Sequence, residues 1–259
     1  MSYIANWFNN ATRVVSKAKK TVSNFAKFIN KVEAKVAHLA TDLAYKLANG
    51  NDIYKDHELK IIKELGDDWK VLCKSSDDAD TNQNGYKSVV FINQNTKQIL
   101  MATAGTVPTD IHDLKDDAYI AAGTFPNKVD QVKSMINYIS KLLGADDIDS
   151  YTFNVTGHSL GAVLTDVTAF DIMSRGLKLG TSVTFDSPGS KNVIQAAITA
   201  KVFSNTVDTT IEELAEHCVI YNAKHNIINY NPIINSPHIT EPKLVIPIKQ
   251  VIMHDIPTV

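Results

Sequence analysis

The sequence predicts an α/β fold, in which a mostly parallel sheet carries helices on both faces and follows an N-terminal helical extension. Two observations lead to this prediction. Beyond residue 65, short β-branched or aromatic runs alternate with segments of helical periodicity. The first 50 residues instead lack proline and contain glycine only at Gly50. We therefore expect a basic amphipathic helical extension over residues 1–50 and one α/β domain over residues 51–259.

The predicted extension combines an apolar seam with an excess of positive charge. Residues 1–50 hold eight Lys or Arg and two acids. Apolar residues recur at alternating steps of three and four, which is typical of a helix packed on another helix or on the main domain; they are Val15, Ala18, Val22, Phe25, Ile29, Val32, Val36, Leu39 and Leu43. Self-association through residues 11–48 is one interpretation of this seam. Binding to an anionic membrane surface is the alternative. A mitochondrial-type targeting helix is a third, which the scarcity of arginine disfavours.

The elements of the α/β domain follow from periodicity and from the breaks between the periodic segments. Strands are predicted over residues 69–74, 88–93, 98–102, 151–156, 182–186, 219–222 and 243–248. Helices are predicted over residues 129–143, 162–176, 192–203 and 211–218. Because strands and helices alternate beyond residue 129, we expect the strands there to be parallel.

One motif within this pattern carries chemistry. Gly157-His158-Ser159-Leu160-Gly161 has the form G-x-S-x-G and stands between a predicted buried strand and a predicted helix. A sharp turn in that context exposes the serine hydroxyl at a helix N-terminus, where the amide of Leu160 can donate to a developing oxyanion. We therefore predict that Ser159 is a nucleophile, although a chance glycine-serine turn produces the same letters.

Composition excludes several other classes of protein. The chain has 259 residues, 44% of them apolar, and a net charge of −2, which does not suit nucleic-acid binding. Cys73 and Cys218 stand far apart and are expected to be free thiols, with neither metal nor organic cofactor implied. No apolar run of about 20 residues and no secretory signal is recognised. We therefore expect a cytoplasmic protein, or one exported without a signal peptide.

Four segments together resemble the class 3, or fungal-type, lipases of the α/β-hydrolase superfamily. The elbow, T-G-H-S-L-G-A over residues 156–162, is the most specific of them. The segment Q-I-L-M-A-T-A-G-T over residues 98–106 resembles the strand and turn that supply the oxyanion hole, with alanine in place of the family's arginine. The segments V-T-F-D-S-P-G over 183–189 and M-H-D over 253–255 resemble a strand end and the stretch that bears the catalytic histidine. The resemblance covers about residues 65–259 and implies an α/β-hydrolase fold.

The resemblance also implies roles for individual residues. His254 would be the base, with Ser159 the nucleophile, and the amides of Leu160 and Thr106 would hold the oxyanion. The family's acid position is occupied here by Asn226, which cannot stabilise a histidinium as a carboxylate does. Asp186, at the end of the preceding strand, is therefore expected to be the acid. The alternatives are a weaker dyad with Asn226, or a fold that has lost its activity.

Three other histidines compete for the base, and the substrate remains open. His158 lies inside the elbow, His225 adjoins the position of Asn226, and His238 is the main alternative to His254. The segment 107–117 stands where the family has its lid and is largely polar, which favours phospholipids or shorter esters over bulk triglyceride. We expect a serine carboxylester hydrolase acting on lipid or related acyl esters, of lipase or phospholipase type. The rival hypothesis is a non-catalytic interaction protein that works through its N-terminal helices.

Overall fold

A single sheet organises the part of the chain that the structure describes. The computed structural model describes residues 34–48, 55–66, 68–82, 86–105, 125–203, 206–222 and 237–244. The described strands lie in the sheet in chain order: β1 (Trp69–Lys74), β2 (Ser88–Asn93), β3 (Gln98–Thr103), β4 (Thr152–His158), β5 (Lys178–Phe185), β6 (Cys218–Asn222) and β7 (Lys243–Leu244). The pairs β1–β2 and β2–β3 are antiparallel, and the pairs from β3 to β7 are parallel. The predicted mostly parallel sheet is therefore confirmed.

The described helices flank this sheet. They are α1 (Ala34–Ala48), α2 (Lys55–Leu65), α3 (Phe125–Leu143), α4 (Ala145–Ile148), α5 (Leu160–Ser174), α6 (Lys191–Thr199) and α7 (Ile211–His217), with a 3-10 turn at Ser75–Asp77. Helix α2 was not predicted from the sequence. Its apolar residues Ile61, Ile62 and Leu65 stand at helical spacing and pack into the core, so they were the signal that could have revealed it.

Helices cover both faces of the sheet, because alternate residues of each strand point to opposite sides. On β2, Val89 and Phe91 belong to the cluster that includes helix α1, whereas Val90 and Ile92 belong to the other cluster. The second cluster takes its helical members from α3, α4, α5, α6 and α7. The expectation of helices on both faces is therefore confirmed.

Helix α1 packs directly on the sheet with the C-terminal part of the predicted seam. Val36 and Leu43 are buried, and Leu39 packs against the same cluster. The Thr41 hydroxyl lies 3.2 Å from the Thr156 hydroxyl on β4, so a polar contact ties the helix to the strand that leads into the elbow. The rest of the seam lies outside the described residues, and the domain boundary after residue 50 stays a prediction.

Strand β5 and helix α6 are among the elements that differ in extent from the sequence prediction. Strand β5 begins at Lys178 rather than residue 182, because Lys178 and Leu179 pair with Thr152 and Phe153 of β4. Helix α6 ends at Thr199 rather than residue 203, and Lys201 has a φ of 55°, which no helix continues through.

Helix α5 is the central helix of the domain. All of its residues except Leu160 and Met173 are buried, so it is surrounded by protein on every side. A helix held this way gives a rigid base for the residue at its N-terminus. Among the described residues, no helix combines the length and the apolar character that crossing a bilayer requires.

Candidate active site

Ser159 lies at the junction between β4 and α5 in a strained backbone conformation. Its φ of 55° and ψ of −128° belong to a region that non-glycine residues rarely adopt, at a cost of about 1–3 kcal/mol. The amide of Ser159 donates to the carbonyl of Phe185 on β5 at 3.0 Å, and its carbonyl accepts from the amide of Ala162 at 2.9 Å. Within the described residues the Ser159 hydroxyl makes no capping hydrogen bond to α5. This is the geometry of a nucleophile elbow.

The two glycines of the motif allow the chain to pack tightly enough for this turn. A Cβ at position 157 would collide with the Thr165 hydroxyl and the Gly161 carbonyl. A Cβ at position 161 would lie 2.5 Å from the carbonyl oxygen of Thr103 and 2.6 Å from the amide nitrogen of Gly105. Glycine is therefore required at both positions, and the end of β3 lies directly against the start of α5.

Asp186 follows β5 and lies beside the elbow. It too has positive φ, 46°, and its amide donates to the carbonyl of Tyr221 on β6 at 2.8 Å. Its carboxylate Oδ2 lies 3.6 Å from Nε2 of His158, and its side chain is 17% exposed. The sheet thus brings the predicted acid and the predicted nucleophile to neighbouring strand ends, and one partner of Asp186 there is the elbow histidine.

Helix α1 adds two side chains to this cluster. The Tyr45 hydroxyl lies 3.1 Å from Nδ1 of His158 and donates to the His158 carbonyl at 3.2 Å. The His38 ring meets the Phe185 ring edge-on, with the centroids 5.2 Å apart. His38, Tyr45 and Asp186 therefore lie around His158 of the elbow.

Burial dominates the electrostatics of the α1 side chains. Burial lowers the pKa of His38, His158 lowers it further, and Asp42 and Asp186 oppose the change. Burial raises the pKa of Tyr45 to about 12, against a smaller effect of a hydrogen bond from the Gly105 amide. At neutral pH the Tyr45 phenol therefore keeps its proton and can act as a donor.

The remaining predicted site residues divide into described and undescribed ones. Leu160 is the first residue of α5, as the oxyanion prediction requires. Thr106, His225, Asn226 and His254 lie outside the described residues, and so does the segment 107–117.

His238, the alternative base, lies near the start of α6. The amide of Lys191 donates to the carbonyl of Pro237 at 3.0 Å, which brings the segment carrying His238 to that helix end. Its buried Nδ1 has no hydrogen-bond partner among the described residues, and burial lowers the pKa of its ring.

The contribution of α1 to this site was not predicted from the sequence. His158 was considered only as one of the histidines that compete for the base, and His38 and Tyr45 were not singled out. A signal was present, because His38, Thr41, Asp42 and Tyr45 stand at helical spacings of three, four and seven. The residues of this polar stripe alternate along the chain with Val36, Leu39 and Leu43 of the apolar seam, but they lie on a different side of the helix.

A buried acid lies behind the elbow on α5. Asp166 accepts hydrogen bonds from the hydroxyls of Ser182, at 3.1 Å, and Ser190, at 2.5 Å. Burial raises the pKa of Asp166 to about 7, and the two serine hydrogen bonds oppose the change. The group links α5 to β5 and to the residue that precedes α6.

Comparison with known proteins agrees with this architecture. Residues 88–223 match the family Lipase (class 3), a span that includes the elbow, Asp186 and strands β2 to β6. The uncharacterized protein RP165 of Rickettsia prowazekii is 41% identical over 233 residues, which are 85% of this chain. The chain spans 61% of the length of that relative.

Solved lipase structures are also similar to this chain. Lip2 lipase from Yarrowia lipolytica is 17% identical, with 77% of this chain and 72% of that chain covered and a TM-score of 0.49. Lipase II from Rhizopus niveus is 14% identical, with 83% of this chain and 76% of that chain covered and a TM-score of 0.41. The assignment rests on the family match and on the strand–elbow–helix unit within it. The chain belongs to the class 3 lipase family and has its α/β-hydrolase fold.

Proposed function

We propose that this protein is a serine ester hydrolase that cleaves lipid or related acyl esters, with Ser159 as its nucleophile. The observation that carries the proposal is the strained conformation of Ser159 at the N-terminus of a buried helix. A non-glycine residue is held at positive φ only where the surrounding structure compensates for the strain, and such residues cluster at active sites. Membership of a lipase family gives the reaction class.

The reaction follows from the roles of a serine triad. Ser159 attacks the ester carbonyl while His254 takes the hydroxyl proton, and a tetrahedral oxyanion forms. The amides of Leu160 and Thr106 donate to that oxyanion. His254 then gives the proton to the leaving alcohol, which leaves an acyl-serine that water hydrolyses with the same histidine as base.

We assign the acid of the triad to Asp186. The position of Asp186 in the fold supports this assignment. Asp186 directly follows Phe185, whose carbonyl accepts a hydrogen bond from the Ser159 amide at 3.0 Å. A carboxylate there is next to the nucleophile and buried enough to interact strongly with an imidazolium. Asp186 also pairs with His158. An experiment on the role of Asp186 therefore has to separate this contact from the proposed contact with the catalytic base.

The substrate and the surface on which it is presented form the finer part of the proposal. The polar character of residues 107–117 favours phospholipids or shorter acyl esters. Residues 1–31 contain six Lys or Arg and no Asp or Glu, so the basic segment binds an anionic membrane surface and brings the domain to its substrate. Self-association through the apolar seam is the competing outcome.

Covalent labelling tests the nucleophile directly. We expect a fluorophosphonate probe to modify the full-length protein once, at Ser159, with peptide mass spectrometry as the measurement. Ser159→Ala should abolish labelling and lower hydrolysis of a soluble p-nitrophenyl ester by at least about 1000-fold, because only binding and the oxyanion hole remain. Ser150→Ala, at the exposed opposite end of β4, is the matched control and should leave both unchanged. Labelling that persists in Ser159→Ala would show that another residue reacts.

A further inference from the structure

Tyr45 connects the two backbone segments between which an ester carbonyl would sit. Its hydroxyl donates to the carbonyl of His158, the residue just before Ser159. Gly105, two residues after the end of β3, lies against the same phenol oxygen, because a Cβ at that position would be 2.6 Å from it. These residues are more than 50 positions apart from one another in the sequence, so the phenol joins three separate parts of the chain.

The approach of Gly105 to this hydroxyl is close. A Cβ at position 105 would lie 2.6 Å from the Tyr45 hydroxyl oxygen and 2.8 Å from the His158 carbonyl oxygen. Gly105 is itself buried, so bulk water cannot replace the phenol beside its amide without a cost in free energy.

Each neighbour of the hydroxyl has a chemically defined role. A phenol offers one proton and two lone pairs. The His158 carbonyl can only accept, so the phenol donates its hydrogen bond there. One lone pair of the phenol oxygen is left for the Gly105 backbone, which lies against it and whose amide can only donate. The other lone pair faces Nδ1 of His158 at 3.1 Å and accepts a hydrogen bond in the tautomer that carries a proton on that nitrogen. The hydroxyl is then fully satisfied, and phenylalanine could not replace any of these bonds.

The helix that carries Tyr45 is fixed against the same strand. The Thr41 hydroxyl lies 3.2 Å from the Thr156 hydroxyl of β4 and donates to the Ala37 carbonyl at 2.9 Å. Ala37, Ala40 and Ala44 are buried with at most 1% exposure, which lets the helix backbone approach the sheet closely. The helix that carries the Tyr45 phenol is therefore itself fixed against the sheet.

We infer that Tyr45 is a positioning residue, which sets the distance between the oxyanion turn at Gly105 and the nucleophile elbow. This inference rests on the proposed ester hydrolysis at Ser159. In that proposal the oxyanion donors are Leu160, after the elbow, and Thr106, directly after Gly105. Both donors must lie about 3 Å from one oxygen, so a shift of the turn relative to the elbow weakens transition-state binding more than substrate binding.

Removal of one hydroxyl tests the inference in the full-length protein. We expect Tyr45→Phe to lower kcat for p-nitrophenyl butyrate by about 10- to 100-fold, with KM unchanged within about twofold, as for a misplaced catalytic group. The matched control is Tyr151→Phe, which removes a buried tyrosine hydroxyl at the opposite end of β4 and should change neither constant. A kcat within about twofold of wild type, or an equal fall in the control, would overturn the inference.

Hydrogen exchange provides a second measurement that does not depend on activity. The chain has 11 glycines, so the Gly105 amide can be assigned by NMR in the glycine region. It should be protected in the wild type and exchange at least about tenfold faster in Tyr45→Phe, with no change in Tyr151→Phe. An unprotected Gly105 amide in the wild type refutes the inference even if the variant fails to fold. If the wild type neither labels nor hydrolyses esters, the proposed function fails, and exchange still decides whether Tyr45 holds the turn.

Discussion

At the scale of single residues, the site depends on two strained positions at neighbouring strand ends. Ser159 and Asp186 both have positive φ, 55° and 46°, and neither is glycine. Each is held by an amide hydrogen bond to the next strand, to Phe185 in one case and to Tyr221 in the other. The backbone strain is therefore compensated by the parallel sheet itself, which stops both residues from relaxing into ordinary conformations.

Asp186→Asn tests the assignment of the acid. We expect the rate of ester hydrolysis to fall by about 10⁴-fold, because an amide cannot hold the base in the required tautomer or stabilise its cation. Asn226→Ala should have a much smaller effect. The measurement is kcat/KM for a soluble ester with both purified variants, and a larger loss in Asn226→Ala would refute the migrated acid.

His158→Gln separates the two partners of Asp186. If the carboxylate serves the triad, loss of the His158 contact at 3.6 Å should cost far less than loss of the carboxylate. We expect a fall in kcat/KM of less than about 100-fold, the scale of a misplaced group. Equal losses in His158→Gln and Asp186→Asn would mean that Asp186 acts through His158 alone.

At the scale of elements, helix α1 is part of the core. Leu43 is fully buried between the helix and the sheet. We expect Leu43→Ala to lower the free energy of unfolding by about 2–5 kcal/mol, as for other buried leucines. Leu142→Ala is the control, because Leu142 is 45% exposed on α3, and it should change stability by about 0.5 kcal/mol or less. Urea denaturation of both variants measures the difference, and equal small effects would contradict this packing.

Helix α5 carries a pH-dependent contribution to stability through Asp166. Burial raises its folded pKa to about 7, above its ordinary value of 3.8, so the folded state binds the proton more tightly than the unfolded state. The stabilisation by the protonated form is complete below about pH 4 and is lost as pH rises towards 7.

Asp166→Asn should remove this pH dependence, because asparagine stays neutral. We therefore expect the stability of the wild type to fall relative to the variant between pH 5 and pH 7, and the difference to level off above that range. Thermal unfolding of both proteins at matched pH values is the measurement. Parallel curves across the range would show that Asp166 does not titrate there.

At the scale of the whole molecule, the open question is what the basic N-terminal segment binds. Each cation near an anionic bilayer contributes about 1 kcal/mol at best, and salt weakens that attraction. We expect the full-length protein to sediment with anionic liposomes in low salt and to be released in high salt. Removal of residues 1–31 should abolish sedimentation and spare hydrolysis of a soluble ester, because helix α1 is kept. Absence of sedimentation even in low salt would exclude the membrane interpretation, and a concentration-dependent change in mass would favour self-association.

The sequence by itself determined the elements whose signals are local. The runs at residues 69–74 and 88–93 became β1 and β2 with those bounds, and the elbow became the turn between β4 and α5. These features depend on side-chain alternation, helical periodicity and the steric freedom of glycine, each of which acts over a few neighbouring residues.

Only the tertiary structure decided which residues meet. Tyr45 and His158 are 113 positions apart, and the local sequence pattern around either residue does not predict that the two are in contact. An apolar seam predicts that one face of a helix is buried. It does not identify the covering surface, since another helix, a bilayer or a sheet buries that face equally well. Val36, Leu39 and Leu43 are covered by the sheet together with helix α2, and the packing of α1 on the sheet brings the polar stripe of the same helix to the nucleophile elbow.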